Sequence, residues 1–332
     1  MNALFDQVKL GCSGEALTTM GMLLEGQLTE LPNFTRWQVI AFFLAAFGLV
    51  FLAPLFVVGW HGDILVPRSG DLGQAKVQLW AISIALQAVF WLYCLIYLYY
   101  NWKQLNASRH FAKAWHDAAW ICIVPAAVLV GYISVTIRHQ SSLPPLSIGS
   151  YPITNLRFFG STGVLIVGIA LWQMFVTRSL FLLHWTGLTN SEEKIACLLE
   201  FRRKYTWLLF IASLVLALGT LASAAMAAAA NAFDTGIFPG EYPVGYGAWY
   251  SLLLLIMYFP VQGSYVSLVR SLISDLLGAP PKQVEDLKKW SENSTKLEGI
   301  FGIDVSKSSM LGPLLSTLLP LISGWISKLV TQ

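Results

Sequence analysis

Three glutamines, Gln87, Gln173 and Gln262, stand inside long runs that otherwise hold almost no polar side chains. A side-chain amide carries donors and acceptors that must find partners. Away from water, the partner is either a neighbouring helix or a wet path through the protein. The chemistry on offer is therefore interhelical hydrogen bonding or the polar lining of a permeation path. Counted from the start of each run, the glutamines lie about 10, 14 and 16 residues in, or roughly 15, 21 and 24 Å deep at the helical rise. That spacing predicts a loose amide layer.

Gln262 also belongs to a second feature. Pro260, Gln262 and Gly263 interrupt the run from Tyr246 to Arg270 in its inner half. Proline removes one backbone donor and frees a carbonyl. The segment is expected to be either a kink satisfied by a neighbour or a hinge beside a solute site. A third pattern is Gly219, Ser223 and Ala227 at a spacing of four. It forms a small-residue face for close helix approach, within a bundle or between copies.

Other chemistry is poorly supplied. No Asp or Glu lies in the middle of any apolar run, which argues against a proton-coupled pump, an acidic cation site or an intramembrane protease. His110 and His116 are too far apart to share one helix face, so they and Asp117 read as solvated rather than metal-binding. Cys12, Cys94, Cys122 and Cys197 show no CxxC spacing, and neither a disulfide nor a zinc site is expected. There is no Walker A, HExxH, GxSxG or strand-linked GxGxxG pattern. No catalytic activity, metal or cofactor is expected. Basic residues alternate with acids at Glu192, Glu193, Glu200, Glu285 and Asp286; this suits anionic lipid rather than nucleic acid.

The elements that position these residues follow from composition. Of 332 residues 56% are hydrophobic and 12% charged, against about 25% charged in soluble domains. The expected fold is an all-α integral membrane protein with six transmembrane helices at 37–60, 77–100, 118–137, 159–183, 205–230 and 246–270. Each reaches the ~20 residues that cross the hydrocarbon. A cytoplasmic amphipathic lead at 1–36 precedes them. A cleavable signal peptide is not expected, because the first apolar run begins only at Trp37. With the N-terminus inside, seventeen of the 21 Lys and Arg residues fall on inner segments. The positive-inside rule then favours N-in, C-in topology, and a bacterial inner (plasma) membrane is the expected location.

The inner connections carry helical signals. Asn190-Ser-Glu-Glu193 is a helix start and Glu200 to Lys204 an i,i+4 pair. The fifth helix is thus expected from about residue 191, extending into the cytoplasm. Residues 274–332, which change character after Pro280-Pro281, form a cytoplasmic or membrane-surface helical region ending in an amphipathic helix. There Ser309, Gly312, Ser316, Pro320, Ser323 and Ser327 make a small or polar stripe on a Leu/Ile helix. The stripe fits a helix on the inner leaflet or docked on the bundle, a seventh span, or a self-associating segment facing a wet lumen.

These features predict a homo-oligomeric channel or pore for ions or small neutral solutes, lined by Gln87, Gln173 and Gln262 and hinged at Pro260 and Gly263. The rival is a non-conducting membrane subunit or scaffold that docks a cytoplasmic partner through 186–204 and 280–332. A permease for an apolar or zwitterionic solute is a third reading.

Overall fold

The computed structural model of the chain describes residues 71–108, 110–119, 147–148, 151–152, 154–233, 240–278, 280–281, 283–301, 303 and 311–331. The expected lead at 1–36, the span at 37–60 and the span at 118–137 beyond its first two residues lie outside them. The described chain is helical apart from a two-residue antiparallel ladder, β1 (Ser147–Ile148) against β2 (Tyr151–Pro152). In order, α1 is Asp71–Asn106, α2 Thr154–Trp185, α3 Ser191–Phe233, α4 Tyr242–Leu277, α5 Val284–Phe301 and α6 Leu311–Thr331. A further helical stretch covers 111–119. Among the described residues, four helices are long and apolar enough to cross a membrane by this measure, over Gln78–Asn106, Gly163–Trp185, Ser191–Asn231 and Pro243–Leu277.

Local chemistry sets the ends of these helices. The Asn190 side chain accepts the Glu192 amide at 3.0 Å, and Glu192 and Glu193 occupy the first turn of α3, where the helix dipole favours negative charge. Glu200 pairs with Arg203 at 2.8 Å and Lys204 at 3.3 Å on the same helix. Helix α4 has Pro243 in its first turn and stops at Gly278, whose φ of 71° suits glycine. The Gly278 amide closes the last turn on Ser274, and Pro280-Pro281 follow.

Helix α3 is the hub. It packs against α1, α2, α4 and α6. Its partners place α1, α2 and α4 antiparallel to it. On α4, Asp275 meets Lys194 and Gln262 meets Tyr205. On α2, Phe181 stacks on Phe201. On α1, Tyr97 meets Trp207, Gln87 lies beside Gly219, and Trp80 packs on Ala225 and Ala229.

Burial is distributed as lipid demands. Leu86, Leu165, Leu252, Ile256 and Phe259 are exposed, while Gln87, Asn101, Gln173, Thr177, Ser213, Thr220 and Gln262 are buried. Water would penalise so much outward apolar surface; hydrocarbon does not. Tryptophans stand near both ends of the apolar stretch of α1, with Trp91 buried between them. Trp102, Trp115 and Trp172 cluster with centroids 4.4 to 5.5 Å apart, and Trp80 marks the other end on α1. The 22 residues from Trp80 to Trp102 span about 33 Å, close to the ~30 Å hydrocarbon thickness. On α3 the same slab begins at Tyr205, immediately after the charged turns.

Helix α6 packs on two others. It runs antiparallel along the first half of α4 and also packs on α3. Lys328 pairs with Glu241 at 3.0 Å, Gly324 faces Pro243 and Val244, and Gly247 faces Pro320 and Leu321. The Ser251 hydroxyl accepts the Leu321 amide at 3.1 Å. Of the predicted small-residue stripe, Pro320, Ser323 and Ser327 are buried and Ser316 is half-buried, and Pro313, Thr317 and Gly324 are buried with them. Ser309 lies outside the described residues, as does the burial of Gly312. Helix α6 is thus packed on the bundle, with α3 and α4 as its neighbours. Its small side chains let the two backbones come close.

Candidate functional site

The polar groups of greatest interest gather where α3, α4 and α5 meet, at the slab boundary crossed by Tyr205. Arg202 and Tyr205 lie one turn apart on α3, as do Tyr258, Gln262 and Tyr265 on α4 at spacings of four and three. Helical period puts each set on one face. Tyr205 donates its hydroxyl to Gln262 Oε1 at 2.7 Å. Tyr265 donates its hydroxyl to the Phe301 carbonyl at 2.8 Å, and Arg202 Nη1 donates to the same oxygen at 2.9 Å.

That carbonyl belongs to the last residue of α5. A helix ends with carbonyls that lack intrahelical donors and with a partial negative charge. Arg202 and Tyr265 answer both, and so clamp α5 to this end of the bundle. Phe181, Phe201, Tyr205 and Tyr265 form an aromatic chain behind the clamp, with centroid separations of 5.0 to 6.2 Å. Phe301 and Ile303 are buried against the bundle. In its first half, α5 is tied back by Trp290 Nε1, which donates to the Gly278 carbonyl at 3.2 Å.

The predicted amide layer is not formed. Gln173 is buried between α1 and α2. Its Oε1 accepts Asn101 Nδ2 at 2.7 Å and its Nε2 donates to the Leu98 carbonyl at 2.8 Å. Gln262 is held by Tyr205, and Gln87 lies beside Gly219 on α3. Tyr205 and Gly219 are fourteen residues apart, so Gln262 and Gln87 are separated by about 21 Å along α3. Leu98 and Asn101 place Gln173 about 16 to 21 Å from Gln87 along α1. The reason is that the helices do not start at one height, so counting from the start of each apolar run misplaces the depths.

Helix α4 passes through Pro260 without a break. Ser264 donates its hydroxyl to the Pro260 carbonyl at 2.9 Å and accepts Arg178 Nε at 2.7 Å, stitching this turn of α4 to α2. Gly263 is exposed, and a Cβ there would meet nothing within 4 Å. The Gly219, Ser223 and Ala227 face lies within the bundle: Ala227 is buried, the other two are half-buried, and α1 covers Gly219 through Gln87.

A cavity of about 30 Å³ lies between α2, α3 and α4, lined by Val164, Val167, Leu171, Leu216, Tyr250 and Leu253. It has room for about one water but no polar partners to hold it. Among the described residues no group of three His, Cys, Asp or Glu side chains could hold a metal ion. The junction offers no nucleophile paired with a base. Its chemistry is that of holding one helix on another.

Sequence reasoning found Gln262 but missed Arg202, Tyr205, Tyr265 and Phe301. The available signal was an arginine and three tyrosines at helical spacing beside the charged turns of α3 and α4. The chain matches no family model, and neither a curated protein nor a solved structure resembles it.

Proposed function

We propose that this protein is a non-conducting membrane scaffold whose inner helical head docks a cytoplasmic protein partner. One observation carries the reading. Helices α3 and α4 continue past the apolar slab as a charged pair that holds α5. From Tyr205 back to Ser191, α3 extends about 21 Å beyond the slab. Lys194 and Asp275 join at 2.8 Å near its tip, and the Phe301 clamp fixes α5 at its base. The head presents residues 186–204 and the exposed face of α5, with Lys288, Lys289 and Glu292 outward. The excess of Lys and Arg on these segments supports their cytoplasmic side. The spans at 37–60 and 118–137 complete six crossings in this reading, with the N-terminus inside.

The glutamines weigh against a pore through one copy, since Gln173 and Gln262 are engaged between helices. A conduit would have to form between copies. Two measurements separate the readings. A scaffold purifies with a stoichiometric partner that is lost on Lys288→Glu with Lys289→Glu, and liposomes containing it show no more ion or solute flux than empty ones. Flux above that baseline, or indifference of every copurifying protein to the charge reversal, overturns the scaffold.

A further inference from the structure

We propose that α6 is itself membrane-embedded. It crosses the hydrocarbon beside α3 and α4, meets lipid acyl chains with its exposed face, and brings the C-terminus out at the end where α4 begins. This departs from the C-in expectation. It rests on the membrane reading alone, and whether α5 docks a partner does not enter it.

The register fixes the placement. Contacts run from Lys328 opposite Glu241, through Gly324 opposite Pro243, to Leu321 opposite Ser251. Continued at the same rise, Leu311 lies near the level of Tyr258, just inside the boundary marked by Tyr205 and Gln262. The 21 residues of α6 span about 31 Å, against ~30 Å of hydrocarbon. Helix α6 thus occupies the slab that the first half of α4 occupies.

The two faces of the helix fit one occupant. Small and hydroxylated residues point to protein, and the hydroxyls close on their own helix. Thr317 donates to the Leu314 carbonyl at 2.7 Å and Ser327 to the Ser323 carbonyl at 2.6 Å. Outward point Leu314, Leu315, Ile322, Trp325, Ile326 and Leu329, the last 72% exposed. A helix lying at an interface would show the reverse, with its polar face to water. This apolar face adjoins that of α4, where Leu252, Ile256 and Phe259 are exposed. Lys328 is the one charged residue in α6, and it sits at the terminal turn. Trp325 is nearby, as in an interfacial belt. Moving Lys328 outward leaves sixteen of the 21 basic residues inside, so the charge rule is still obeyed.

Site-directed labelling in right-side-out vesicles tests the crossing. Ser291→Cys on α5 and Thr331→Cys at the end of α6 are treated with a membrane-impermeant maleimide before and after permeabilisation, and the parent chain's labelling is subtracted. The expected result is labelling from opposite faces. Labelling of both from one face overturns the crossing. Spin labels at Leu315, Ile322, Ile326 and Leu329, in phosphatidylcholine–phosphatidylglycerol bilayers, test the occupant. Contact with acyl chains gives collisions with oxygen and exclusion of a water-soluble nickel chelate. Access to the chelate means an aqueous face, and exclusion of both means a second copy or another protein covers it. Either outcome overturns the lipid assignment. All four positions are outward or half-exposed, so the substitutions disturb no packing core.

Discussion

Replacing Gln173 by leucine separates an interhelical lock from a pore lining. The side chain is 1% exposed and joins α2 to α1 through two hydrogen bonds, from Asn101 at 2.7 Å and to Leu98 at 2.8 Å. Leucine nearly conserves volume, so cavity terms are small. Hydrogen bonds between membrane helices average about 0.6 kcal/mol and reach about 1.7. Loss of both therefore costs about 1 to 3 kcal/mol, with Asn101 left buried and short of an acceptor. Asn101→Leu removes only the first bond, and the double variant removes the stranded amide as well. The expected coupling energy is about 0.5 to 2 kcal/mol, with the double variant more stable than the two singles sum to. Reversible unfolding in mixed micelles, followed by tryptophan emission, measures all four corners of the cycle. If both single variants match the parent within about 0.3 kcal/mol and the pair is additive, the lock is not there. A change in solute flux without a change in stability would revive the lining.

Three further outcomes are expected. In Gly324→Ala the new Cβ would lie 2.5 Å from the Pro243 carbonyl oxygen. Backbone cannot yield as a side chain can, so α6 must move and about 1 to 3 kcal/mol of stability is lost, read as a lower thermal midpoint in nanodiscs. Gly263→Ala meets no atom and gains about 0.5 to 1 kcal/mol from helix propensity; any large loss in the same midpoint assay would restore the hinge. Arg202→Ala, and more weakly Tyr265→Phe, loosen the Phe301 carbonyl, so amide exchange in α5 quickens by roughly tenfold for about 1.4 kcal/mol of lost clamp, while exchange in α1 does not change.

How much of this was legible depends on which interactions are local. The start of α3 at Ser191, ahead of its apolar run, was legible from Asn190, Glu192, Glu193 and the Glu200–Lys204 pair, because caps and i,i+4 pairs lie within one helix. The stop of α4 was only roughly legible: the apolar run suggests an end at Arg270, whereas the helix continues to Leu277, where Gly278 ends it. The depths of Gln87, Gln173 and Gln262 were not, because depth depends on where each helix begins and how it tilts, and neighbours set both. The stripe of Ser323 and Ser327 told which residues share a face, but not that α3 and α4 cover it. Gly247 drew no notice, since its use lies in Pro320, more than seventy residues away. The Phe301 clamp was hidden for a similar reason: a backbone carbonyl carries no sequence signature.

The arrangement of polar groups about α3 ties these points to function. A conduit needs polar groups that stay available to a passing solute. Here buried and half-buried donors and acceptors pair across helices: Asn101 with Gln173, Tyr205 with Gln262, and the half-buried Arg202 and buried Tyr265 with the Phe301 carbonyl. Each pair joins different elements, so each resists sliding of one helix past another. The two that involve α3 sit at the slab boundary, where lost hydration is partly restored and a guanidinium can reach water. Motion of the head about the membrane helices would have to break them together. A head held so rigidly suits a docking surface that must keep its shape without its partner, because preorganisation lowers the ordering cost of binding.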